Sequence, residues 1–157
     1  SPQNLDDLVA LIRSWQVDPD NTPIDLPDKN LGDPVINPTG AEPSFTEGGD
    51  LYLGFEKVFA AYDAGNRMVV LDARAPFDYV GGHIKGAVSV PFYDTAKFLD
   101  QLPKDAWIIC YCACPHAESS AAAKVLLDNG YTKVKVLDEG LPAWQDAGYP
   151  MKTGPKP

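Results

Sequence analysis

The 157-residue chain sets 22 Asp and Glu against 13 Lys and Arg, a formal net charge of -9, with 45% hydrophobic and 22% charged residues. That size and mix suit one soluble globular domain with a true core and a small appendage. The acidic surface argues against nucleic acid and anionic membranes as partners, and no apolar run reaches the roughly 20 residues that a membrane-spanning helix needs.

In chain order, residues 5–15 read as an amphipathic helix with Leu5, Leu8, Leu11, Ile12 and Trp15 on one face and Asn4 as its N-cap. Residues 17–49, rich in Pro, Asp, Asn, Thr and Gly, read as an irregular arm. Ile24, Leu26, Leu31, Val35, Ile36 and Phe45 would hold that arm against the domain surface. Residues 50–64 carry apolar side chains at helical spacing (Leu51, Leu53, Phe55, Val58, Phe59, Tyr62), closed by Gly65. Met68–Leu71 is a short buried strand, and a short helix around Pro76–Tyr79 precedes Gly81 and Gly82. Ala87–Val90 is a strand stopped by Pro91, residues 94–101 a helix, and Trp107–Tyr111 a third buried strand. Residues 119–129 form an alanine-rich helix ending at Gly130, with Ser119 or Ser120 as its cap. Lys133–Leu137 is a fourth strand and Leu141–Ala147 a last helix.

Short apolar strands alternating with helices predict an α/β domain built on a mainly parallel sheet. In such sheets reactive groups gather at the carboxyl ends of the strands. The segment leaving the Trp107–Tyr111 strand is such a place, and it holds two of the three cysteines, Cys110, Cys112 and Cys114. Their spacing is too close to staple distant parts of a fold, so burial or chemistry must explain them. Cys110 reads as a buried strand residue.

Several ordered segments resemble the rhodanese-like domains. Val70-Leu71-Asp72-Ala73-Arg74 resembles that family's first strand and Asp-x-Arg. Asp78-Tyr79, then Gly82-His83-Ile84-Lys85-Gly86-Ala87 and Val90-Pro91, resemble its acidic-aromatic pair and Gly-His-Ile-x-Gly-Ala signature. Ile108–Cys112 resembles the strand ending in Tyr-Cys. Asp138-Glu139-Gly140-Leu141-Pro142-Ala143-Trp144 and Gly148-Tyr149-Pro150 resemble the last turn, helix and exit. The resemblance implies a three-layer α/β sandwich over residues 50–150; it does not cover residues 1–49, which read as an N-terminal helix and arm, and it leaves 151–157 as a tail. It also implies a sulfurtransferase without a cofactor. A cysteine takes sulfane sulfur from a small-molecule or protein-bound donor, holds it as a persulfide and passes it to a thiol acceptor.

The loop departs from the family pattern. Counting from Tyr-Cys selects Cys112 and makes the loop Cys112-Ala113-Cys114-Pro115-His116-Ala117-Glu118-Ser119 too long; counting back from the following helix selects Cys114. An inward N–H directly after the cysteine would favour a thiolate. Pro115 has none, whereas Cys112 is followed by Ala113 and Cys114, so Cys112 is the favoured carrier and Cys114 a resolving or pocket-lining thiol. Ala113, Pro115, His116, Ala117, Glu118 and Ser119 would line the substrate. The loop has no Lys or Arg, and Glu118 would oppose a dianion, which puts thiosulfate in doubt. The position six residues on is Glu118 from Cys112 and Ser120 from Cys114, not the Arg that related phosphatases and arsenate reductases need.

Other readings stay open. The loop could belong to a non-catalytic binding or sensing module, or serve a redox role. Cys112, Cys114 and His116 also alternate like soft ligands for a thiophilic ion such as Cu(I). His83 reads as a satisfied structural imidazole, and Asp72, Arg74 and Asp78 as a scaffolding ion-pair network. His116 stands between a surface residue and a proton relay. A first residue other than methionine and the Pro/Asp-rich arm favour an exported, periplasmic protein over a cytoplasmic one.

Overall fold

The structure is a computed structural model that describes Val9, Leu11, Ile12 and residues 23–157. Val9, Leu11 and Ile12 are helical and exposed; the rest of the helix expected over 5–15 lies outside the described residues.

Three of the four expected strands are dominated by apolar residues, which suits strands covered on both faces. They form β2 (Met68–Asp72), β5 (Trp107–Tyr111) and β6 (Val134–Leu137), each buried along its whole length. With β1 (Tyr52–Leu53) and β4 (Val88–Ser89) they make a five-stranded, wholly parallel sheet in the order β1-β6-β5-β2-β4. β1 lies in the stretch read as helical. Helix α1 is confined to Phe55–Asp63, because Tyr52 and Leu53 pair with Val136 and Leu137 at the sheet edge.

Side chains alternate across the sheet, so two cores form. Val69, Leu71, Ile108, Cys110, Val134 and Val136 face α3 (Ala117–Asp128) and a 3₁₀ helix (Thr95–Gln101), through Ala122, Ala123, Leu126 and Phe98. Met68, Val70, Ile109, Tyr111 and Leu137 face α1, α2 (Pro76–Gly81) and α4 (Gly140–Asp146), through Val58, Tyr79, Leu141 and Trp144. Helix, sheet and helix therefore form the three layers. The segment expected as a helix over 94–101 takes the tighter 3₁₀ form.

The arm lies on the domain, as its apolar residues require. Leu31 and Val35 pack on one core, Ile36 and Phe45 on the other, and Ile36 bridges to Met68. The buried Lys135 ammonium ties down the end of the arm by donating to the Gly48 and Asp50 carbonyls at 2.9 and 2.7 Å. Part of the expected tail returns as β7 (Met151–Lys152), antiparallel to β3 (His83–Ile84). Among the described residues, no helix is long and apolar enough to cross a membrane.

Candidate active site

β5 is the central strand of the sheet, and its direction decides what it delivers. Tyr111 is its last residue, so Cys112 stands at the carboxyl edge where the chain turns toward α3. The Cys112 carbonyl accepts the Leu141 N–H at 2.8 Å, which fixes the departure of the loop against the start of α4. Gly140 makes that approach possible. Its φ is +70°, and a Cβ there would lie 2.6 Å from the Cys112 oxygen and 3.1 Å from the Pro115 oxygen.

Cys112 is 0% exposed, whereas Cys114 is partly exposed. The Cys112 S–H donates to the Cys114 carbonyl at 2.6 Å, and the two Sγ atoms lie 3.1 Å apart. Ser119 supplies the remaining polar contacts, its Oγ at 3.4 Å and its backbone N–H. Ser119 and the Cys114 carbonyl thus meet Sγ in place of the Ala113 and Cys114 amides expected from the sequence. The carbonyl belongs to the Cys114–Pro115 peptide, which has no N–H to offer in any orientation. Burial pushes the Cys112 thiol up; the Ser119 hydroxyl and amide pull it down, and Cys114 adds to the rise. Burial also pushes up the Cys110 thiol, which is enclosed in the sheet.

α3 begins at Ala117, two residues earlier than expected, so both serines fall inside its first turn and cap nothing. His116 occupies the N-cap position without a side-chain cap bond. The early start turns Ser119 toward Cys112, while Ser120 Oγ lies 3.2 Å from the Tyr52 hydroxyl. Ala113, Pro115 and Ala117 are exposed, and His116 and Glu118 are half-buried.

His116 packs on the Tyr52 ring at 4.6 Å and sets Nε2 3.7 Å from Asp138 Oδ1. Tyr52, from β1, and Asp138, after β6, are site residues that the sequence reading missed. The potential ligand set changes too. Ligand atoms of Cys112, Cys114 and Glu118 lie within 4.8 Å of one another, whereas His116 is turned toward Asp138 and does not complete the set expected for Cu(I). A hard carboxylate beside two thiols suits a soft ion poorly.

A polar network supports the strand that carries the cysteine. Asp72 takes Arg74 Nη2 at 2.6 Å and the Tyr111 hydroxyl at 2.7 Å, and Arg74 also donates to the Gly82 carbonyl at 2.6 Å. Burial opposes the Arg74 charge, but the adjoining Asp72 carboxylate outweighs it and holds that pKa above its usual value. Asp78 is exposed and stands outside the direct bonds of this network. His83 is buried with Nδ1 2.8 Å from the Tyr79 carbonyl and Nε2 3.0 Å from the Lys156 carbonyl, and it stacks on Tyr79.

Residues 56–147, which contain the whole loop, match the family described as Rhodanese-like domain. The chain belongs to the rhodanese-like family. The thiosulfate sulfurtransferase GlpE of Pseudomonas entomophila (strain L48) is 35% identical over 88 residues, which cover 54% of this chain and 76% of that protein. The HTH-type transcriptional regulator Rv0324 of Mycobacterium tuberculosis is 31% identical over 87 residues, 55% of this chain but only 38% of the regulator. The solution structure of the rhodanese-like domain of Alr3790 from Anabaena sp. has a TM-score of 0.61 at 27% identity, covering 67% of this chain and 80% of that one. With relatives named as sulfurtransferases, this rhodanese-like domain falls in a sulfurtransferase family.

Proposed function

We propose that the chain is a sulfurtransferase in which Cys112 carries sulfane sulfur as a persulfide between a donor and a thiol acceptor. The observation that carries this reading is the placement of Cys112 Sγ. It sits at the carboxyl edge of the central strand, against the Ser119 hydroxyl and amide in the first turn of α3. Those two donors and the helix N-terminus favour an anion on sulfur. Burial and the Cys114 carbonyl oppose it, so loading follows deprotonation rather than starting from a standing thiolate.

The donor is of low charge or is itself a protein-bound persulfide. The loop contains no Lys or Arg, and the Glu118 carboxylate lies within 4.8 Å of both sulfurs. Thiosulfate would meet that charge directly. The same reading divides the chain into an N-terminal segment (1–49), the sulfur-handling domain (50–150) and a short tail (151–157).

The test exposes the reduced chain to mercaptopyruvate and, separately, to an uncharged organic persulfide, and follows peptide masses. The expected result is the gain of one sulfur atom on the peptide holding Cys112 and Cys114, lost in Cys112→Ser. A chain that accepts sulfur from neither donor would be a non-catalytic module, and the proposal fails.

A further inference from the structure

Sulfur transfer through one cysteine does not require a second thiol in contact with it, yet Cys114 Sγ lies 3.1 Å from Cys112 Sγ. The contact is built in. Pro115 disfavours helical backbone at Cys114, and in the reduced chain the Cys114 carbonyl accepts the Cys112 S–H. A disulfide bond is about 2.05 Å long, so the two sulfurs need approach by only about 1 Å. The pair also differs in access, because Cys112 is fully buried while Cys114 reaches the surface.

We propose that Cys114 is a resolving thiol that attacks Sγ of persulfidated Cys112, so that the domain releases sulfane sulfur as hydrogen sulfide at the expense of an external dithiol. The proposal rests on the persulfide reading above. In the first step Cys114, having lost its proton to water, forms a bond to Cys112 Sγ, and the bond from Sγ to the outer sulfur breaks. The outer sulfur leaves with the electron pair as hydrosulfide, keeping its proton. That sulfur is reduced, and the two cysteines are oxidised to a disulfide. In the second step a dithiol, small molecule or protein, reopens the disulfide by exchange and is itself oxidised to a disulfide. Its attack falls on the sulfur of Cys114, the accessible one.

Two features favour this outcome over a hop of the outer sulfur onto Cys114. The observed contact is to Sγ, the inner sulfur of the persulfide. Glu118, close to both sulfurs, disfavours a second negative charge on the pair once Cys114 is the thiolate, so the outer sulfur keeps its proton. A protonated outer sulfur departs as hydrosulfide, a far better leaving group than the sulfide dianion.

The experiment uses the full chain, reduced and loaded with one equivalent of an uncharged organic persulfide, then desalted; intact mass and released sulfide are followed in the native chain and in Cys114→Ser. The variant is expected to keep a mass gain of one sulfur. The native chain should lose it on the order of tenfold faster or more, since a group held in contact replaces a collision. It should release hydrogen sulfide and settle two hydrogens lighter than its reduced form. A native chain that retains the sulfur as long as Cys114→Ser overturns this inference and leaves the persulfide reading standing. Failure of both chains to gain sulfur overturns both.

Discussion

Tyr111, the residue before Cys112, donates its hydroxyl to Asp72 Oδ2 at 2.7 Å and accepts the Ile84 N–H at 3.1 Å. One phenol thus joins the ends of two neighbouring strands to β3, directly behind the reactive loop. Its removal leaves a buried amide and one carboxylate oxygen short of a partner. Tyr111→Phe should therefore cost about 1–3 kcal/mol. Asp72→Ala, which strands the buried Arg74 guanidinium, should cost about 3–5 kcal/mol. Urea unfolding measures both. A loss under about 0.5 kcal/mol for Tyr111→Phe, the size of an ordinary surface change, would mean that the bond contributes nothing net.

Gly140 gives a sharper test of how the loop is held. Ala at this position meets both a left-handed φ of +70° and a backbone oxygen 2.6 Å from its Cβ. Gly65 has a similar φ of +72° with nothing within 4 Å, so Gly65→Ala isolates the conformational cost. That cost is about 1–2 kcal/mol. Gly140→Ala should lose more stability than Gly65→Ala, and it alone should reduce sulfur loading on Cys112, because its Cβ pushes on the Cys112 carbonyl. Equal loading by the two variants, read by peptide mass, would show that Cys112 tolerates the shift.

What could be read from the sequence follows from how each feature is encoded. β2 and β5 are mostly apolar runs buried on both faces, and β6 alternates apolar residues with Lys135, so the local pattern reveals them. β1, β3 and β7 have two residues each, too few for any periodicity, and exist only because distant segments meet: His83 pairs with Lys152 and Tyr52 with Val136. The loop itself was legible because it is contiguous. Tyr52, from β1, and Asp138, just after β6, flank His116; neither is near it in sequence, so local pattern does not tie them to the loop. The cap expected at Ser119 or Ser120 depends on where the helix starts, which sequence fixes only to within a residue or two; with the start at Ala117, the Ser119 hydroxyl faces Cys112 instead of the backbone.

The pH dependence of Cys112 follows from burial, which raises its thiol pKa against the pull of Ser119. At neutral pH its thiolate fraction lies below that of a free cysteine, so alkylation should be slower than for a free thiol. The rate should keep rising past the usual cysteine pKa of about 8.5. Cys114→Ser removes the competing thiol for this measurement, and adding Ser119→Ala should move the profile further up. Because the folded pKa exceeds the unfolded one, the group stabilises the fold below the unfolded value, and that contribution fades as pH climbs through the folded value. A rate plateau below about pH 8 would instead mark a stabilised thiolate.

The charge of the loop should govern donor choice. Glu118 lies within 4.8 Å of both sulfurs, and Asp138 beside His116 adds a second carboxylate at the loop's edge. Thiosulfate is a dianion, so reversing one nearby charge acts on two units of substrate charge. At about 5 Å and an effective dielectric constant near 20 the raw interaction amounts to several kcal/mol. Solvent around these half-exposed groups cuts that to about 1–2 kcal/mol, equivalent to roughly fivefold to thirtyfold in rate. Glu118→Arg should accordingly raise the rate of loading from thiosulfate by that factor and leave loading from an uncharged organic persulfide nearly unchanged. The gain should shrink in high salt, since screening acts on exposed charges. Equal gains with both donors would show that Glu118 acts through the shape of the loop, and the electrostatic account of donor choice would then be wrong.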